Sequence, residues 1–142
     1  MTEPNQARSW QRMFVVIIAV ISGGWILAVG LWSLVNPQSF ANWIEFPPYN
    51  EHLLHDLGAF QIGIGATVLV ALIWSDAIGV ALLGFVVAGA IHTVNHWVDL
   101  PLGGHSSDAW LIGLSTVLAA AAVVVRINSP RSRPTARVPA DR

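Results

Sequence analysis

Cysteine is absent from this chain of 142 residues, and so is lysine. Without a thiol the chain can form no disulfide, offers no thiolate to a metal and cannot hold an iron–sulfur cluster. Charge is also scarce, at 11% of residues, and no lysine or arginine occurs anywhere between residues 13 and 125. All seven basic residues are arginines, Arg8, Arg12, Arg126, Arg131, Arg133, Arg137 and Arg142, and they lie at the two ends. No nucleic-acid partner is expected. What is present in abundance is apolar: 54% of residues are hydrophobic and the mean hydropathy is +0.60, far from an ordinary soluble domain.

Four apolar runs stand out, at 13–35, 53–74, 77–98 and 109–125. Each has about 17 to 24 residues, and at about 1.5 Å per residue each can cross a hydrocarbon layer of roughly 30 Å. Backbone groups in lipid must pair internally, and none of the runs alternates with period two, so helices are expected and strands are not. The expected fold is all-α: a polytopic four-transmembrane-helix bundle in the lipid bilayer. The first run follows Arg8 and Arg12 and contains Ser22, Gly23 and Gly24, features of a signal peptide. Its apolar character continues through Trp25, Leu27, Leu31 and Trp32, past the length of a signal core, so it is read as a retained span.

With the arginines confined to the ends, the positive-inside rule places both termini in the cytoplasm of a bacterial-type plasma (inner) membrane. An even number of spans is then required, and four satisfies it. Residues 1–12 form a cytoplasmic N-terminal segment, 13–125 the membrane domain, and 126–142 an Arg/Pro-rich tail too poor in apolar residues to fold alone. The segments 36–52 and 99–108 face outward. In the first of them Asn36 is placed to cap a short helix opening at Pro37. Phe40, Trp43 and Ile44 share one side of it before Pro47 and Pro48 stop it. An interfacial helix is expected, either as an aromatic anchor or as a lid over a site between the spans.

All five histidines, His52, His55, His92, His96 and His105, fall in the outward half with Glu45, Glu51, Asp56, Asp99 and Asp108. On the third span His92, Asn95, His96 and Asp99 stand at i, i+3, i+4 and i+7 and share a face. Gly84 and Ala88 continue it inward as close-approach positions. His55 and Asp56 near the outer end of the second span lie at a similar depth, with Gln61 deeper. If the second and third spans pack as neighbours, His55, Asp56, Gln61, His92, Asn95, His96 and Asp99 form one outward pocket.

Three chemistries suit such a group. Two imidazoles at i, i+4 with a carboxylate hold a divalent metal, here His92, His96 and Asp56 or Asp99, with His55 as a further ligand. Haem would need His55 opposite His92 or His96, because two histidines on one helix face cannot bracket one iron. A quinone-type pocket would use His and protonated Asp on the head of a lipophilic ligand. The zinc-protease pattern is missing, since Thr93 follows His92 where a glutamate should stand. Pairing of helices through the same polar groups explains them with no ligand. Elsewhere, Asp76 and Asp108 are placed as helix N-caps. Gly23, Gly24, Gly58, Gly63 and Gly65 read as close-approach positions between helices.

A first span ending "LWSLVNPQSFANWIEF", a second opening "HDLGAFQIGIGATVLVAL" and two further spans resemble the small four-helix DoxX-like membrane proteins over residues 13–125. The resemblance implies a link to quinone-coupled or thiol redox systems, and carries over Asp56 and Gln61 as pocket residues. The lack of cysteine speaks against the thiol branch. The expected function is a binding or accessory subunit for a metal ion or lipophilic redox ligand, beside a larger membrane complex. An enzyme using His92, His96 and Asp56, and a structural protein whose polar face mates with another copy as a homo-oligomer, are the alternatives.

Overall fold

A computed structural model describes residues 3–74 and 76–129, with side chains from residue 6 onward. Among the described residues the chain is all helix, without strands: α1 Glu3–Val35, α2 Pro37–Ile44, α3 Glu51–Val70, α4 Ile78–Val98 and α5 Ser106–Asn128, with one 3₁₀ turn at Leu100–Leu102. α1, α3, α4 and α5 are each long and apolar enough to cross a membrane. Their outer surfaces expose Trp25, Phe60, Val80 and Leu111. So much exposed apolar area suits hydrocarbon, not water.

α1 begins at Glu3, well before the apolar run. Ala7, Arg8, Gln11 and Arg12 are good helix formers, and Pro4 stands in the first turn, where it is tolerated. Residues 126–128 likewise complete α5, so the tail as read from the sequence starts within a helix; residues 130–142 lie outside the described residues. The short α2 forms as expected, with the Asn36 side chain accepting the Ser39 N–H at 3.2 Å. It ends at Glu45, whose φ of 51° closes the helix in the left-handed region.

The packing order is where structure and expectation part. α3 packs chiefly on α1, α4 chiefly on α5, and α1 on α5, whereas direct contact between α3 and α4 is slight. Side-chain size decides this. A Cβ on Gly30 would stand 2.8 Å from the Gly58 carbonyl, and one on Gly65 2.7 Å from the Gly23 carbonyl. Because Gly23 and Gly30 are spaced as Gly58 and Gly65 are, both crossings fall on one antiparallel seam and α1 lies backbone to backbone on α3. α5 meets α4 through Gly89 against Thr116 and Gly113 against Thr93. The shared core mixes alanines with branched side chains, and Ala19, Val68, Leu82, Ala119 and Ala122 in it are fully enclosed.

Two contacts fix which ends lie together. Ser129 Oγ reaches Gln11 Oε1 at 3.4 Å, and Arg126 reaches Asp76 at 3.5 Å. The start of α1, the end of α5 and the α3–α4 turn therefore share one end of the bundle, while α2 and the α4–α5 connection share the other. Asp76 corrects an expectation: the cap position of α4 is Ala77, without a side-chain hydrogen bond, and Asp76 faces Arg126 instead.

Candidate functional site

The end opposite the start of α1 and the end of α5 carries all five histidines. α2 folds against α1 and α3, burying Phe40 with Val29 and Leu54. Trp32 stacks on Trp43 at 5.2 Å between ring centroids and meets Phe40 edge-on at 5.6 Å. The segment after α2 is tied to the loop before α5. Gly104 N–H donates to the Glu45 carbonyl at 3.1 Å, and the His105 ring lies 3.3 Å from the Trp43 carbonyl and 3.9 Å from the Glu45 carboxylate. Gly103 and Gly104, at φ of 140° and 80°, give the loop the left-handed turn this contact requires. Asp108 is not the N-cap of α5. His105 holds that position, and Asp108, three residues on, accepts its N–H at 3.0 Å. His105 and Asp108 thus serve the loop.

On α3 the titratable groups pair along their own helix. His52 stands 3.5 Å from Asp56 and His55 3.9 Å from Glu51, both at i, i+4. Gln61 does not face α4. It is buried against Gly30 in the α1–α3 seam, and its Oε1 has no hydrogen-bond partner among the described residues.

On α4 the Nε2 atoms of His92 and His96 converge to 3.1 Å, with ring centroids 4.8 Å apart and planes inclined by 50°. A metal held at about 2.05 Å from both would subtend an N–M–N angle of roughly 100°, close to the tetrahedral value. The same distance allows a single N–H···N hydrogen bond between neutral rings. Asn95 is exposed, and Asp99 caps the C-terminal end of α4, its N–H donating to the Asn95 carbonyl at 2.7 Å. Among the described residues no three of His, Asp and Glu come together as a metal-binding group. The residues expected to form one pocket therefore occupy three places: Gln61 in the α1–α3 seam, His55 and Asp56 on α3, and His92, Asn95, His96 and Asp99 on α4.

Between α3 and α4 lies an open groove of about 850 Å³, lined mainly by small and apolar side chains, among them Ala59, Gly63, Ala66, Val80, Ala81 and Gly84. Gly63 and Gly84 were expected as close-approach positions, yet a Cβ on either would meet nothing within 4 Å. Gly23, Gly58 and Gly65 are crowded as expected, Gly24 is open, and Gly30, which the sequence reading passed over, is among the most crowded. Its signal was its spacing from Gly23.

The fold defines a small multi-pass helical membrane protein with a histidine-bearing end. Compared with protein-family models, with curated proteins and with solved structures, the chain matches none.

Proposed function

We propose that this protein is a binding or accessory subunit of the plasma (inner) membrane, with both termini in the cytoplasm, which holds a divalent metal ion at its outward end through His92 and His96. The observation that carries this reading is the convergence of the two Nε2 atoms to 3.1 Å on one helix face, a separation matched to two ligands of one ion. A soft or borderline metal, zinc, copper or nickel, suits an all-imidazole donor pair better than magnesium or calcium. A DoxX-like relationship, which the first two spans suggest, would tie such a subunit to a quinone-coupled redox system. An enzyme would call for a free carboxylate at the pair; Asp56 is engaged by His52, and Asp108, whose charge reaches His92, accepts the His105 N–H.

A specific observation favours a second reading, a lipophilic redox ligand such as a quinone: the open α3–α4 groove is large enough for part of an apolar tail, though its lining carries no histidine or carboxylate to hold the head.

Elemental analysis of the detergent-purified protein beside its His92→Ala/His96→Ala variant tests the first reading. Zinc, copper or nickel retained by the parent and lost by the variant supports it. Metal-free parent protein after purification with added zinc removes it, and solvent extraction of bound quinone then tests the second.

A further inference from the structure

α4 carries two rows of small residues, one packed on α5 and the other open at Gly84. Gly89 and Thr93 meet Thr116 and Gly113 of α5. Gly84, Ala88, His92 and His96 follow one another at four-residue intervals on another face. On that second face Gly84, Ala88 and His92 are exposed and His96 is half-buried, and among the described residues no atom outside Gly84's own stretch of helix lies within 4 Å of a Cβ placed there. Small residues at i, i+4 are the arrangement through which membrane helices cross closely. Here the arrangement runs directly into an imidazole pair. That pair supplies two donors, and no third His, Asp or Glu joins it among the described residues, while a closed tetrahedral site needs four.

We propose that two copies of this chain pair through the Gly84–Ala88–His92–His96 face of α4 and that their four imidazoles enclose one divalent metal ion. The proposal rests on the metal reading above and names the missing half of its site. Identical chains insert in the same sense, so a two-fold axis along the membrane normal brings like residues together at one depth. Helices touching at Gly84 and Ala88 and crossing at about 40° are roughly 10 Å apart two turns further out, which leaves room for two imidazole pairs around one ion. The slight contact between α3 and α4 leaves this side of α4 accessible, because the groove opens beside Gly84.

The test uses the full chain in detergent or nanodiscs, loaded with zinc alone and dialysed, with mass by native mass spectrometry and zinc by elemental analysis. The expected result is one zinc per two chains and a zinc-dependent dimer. His92→Ala/His96→Ala should abolish zinc retention. Gly84→Leu, placed where the chain itself has open space, should lower dimer formation and zinc affinity at least tenfold together, with helical circular dichroism unchanged. Ala88→Cys, the only thiol in its chain, should cross-link under mild oxidation, and more rapidly with zinc present. One zinc per chain, held by a monomer and indifferent to Gly84→Leu, overturns the paired site while leaving the metal reading intact. No zinc in any form overturns both. A dimer without zinc, or one with apolar ligand in the groove and no Ala88→Cys cross-link, overturns the shared site.

Discussion

Gly30 of α1 and Gly58 of α3 each occupy the space a side chain of the other helix would need: a Cβ on Gly58 would lie 2.7 Å from the Gly30 carbonyl oxygen, and one on Gly30 2.8 Å from that of Gly58. The obstacle on both sides is backbone, which cannot turn away as a side chain can. Gly58→Ala must therefore push the helices apart along the seam and loosen Leu54, Gln61 and Gly65 with it. We expect a loss of about 2 kcal/mol, typical of overpacking. Gly24→Ala, where nothing lies within 4 Å, should be neutral or slightly stabilising. Thermal unfolding in detergent compares them, and equal midpoints would show that the seam is not where stability resides.

Gln61 makes a prediction of the opposite sign. Its Oε1 is buried in the same seam without a hydrogen-bond partner among the described residues, a condition that costs about 1–3 kcal/mol. Gln61→Met keeps the length and removes the amide, so the variant should be more stable than the parent by about 1 kcal/mol. A less stable variant would mean that the amide has a partner in the membrane, such as a bound lipid or ligand head.

These two positions show how far the sequence could be read. The spans, the interfacial helix at Pro37–Ile44 and its Asn36 cap were legible because each follows from local physics: run length, proline at the first position, a polar cap. Which helices pack together was not. A short turn joins α3 to α4, but sequence neighbours in a membrane gain no hydrophobic advantage from packing, and close backbone approach decides instead. Gly30 with Gly58 and Gly23 with Gly65 set α3 on α1, and that choice turns Gln61 away from α4 and keeps Asp56 with His52. The i, i+4 relation of His92 and His96 survived because it belongs to one helix.

Ser33 is fully buried and its Oγ donates to the Leu54 carbonyl at 2.7 Å, locking the C-terminal end of α1 to the first turn of α3. Hydrogen bonds between membrane helices are modest, so Ser33→Ala should cost about 0.5–1.5 kcal/mol. Ser33→Leu should cost more, because no space remains around the hydroxyl. Unfolding midpoints for both rank the effects; Ser33→Leu matching Ser33→Ala would show that the site is not closed.

The loop before α5 depends on Asp108 and on two left-handed glycines. Asp108→Ala removes the acceptor of the His105 N–H and should cost about 1 kcal/mol. Gly103→Ala puts a side chain at φ 140°, with a Cβ 3.0 Å from the Glu45 carbonyl oxygen. Both should raise amide hydrogen exchange across residues 99–108 and release the contact of Gly104 N–H with Glu45. Exchange confined to the changed residue would mean that the loop is held by other groups.

Sidedness is predicted by the placement of the arginines, and single cysteines read it without background because the chain has none. The arginines flank the bundle at Arg8, Arg12 and Arg126, and Asp76 of the α3–α4 turn lies at the same end, 3.5 Å from Arg126. Ser107, exposed at the start of α5, is at the other. The positive-inside rule places the arginine end in the cytoplasm. In intact cells a membrane-impermeant maleimide should therefore label Ser107→Cys and spare Asp76→Cys, and permeabilisation should expose Asp76→Cys. Neither exchange should disturb folding: the Asp76 side chain is 96% exposed, and an ion pair so open contributes less than about 1 kcal/mol. The reverse pattern would put the His92–His96 pair in the cytoplasm, where any metal it holds would be drawn from the cell's own pool. Labelling of both variants before permeabilisation would show that the two ends are not separated by a bilayer and would overturn the four-span arrangement itself.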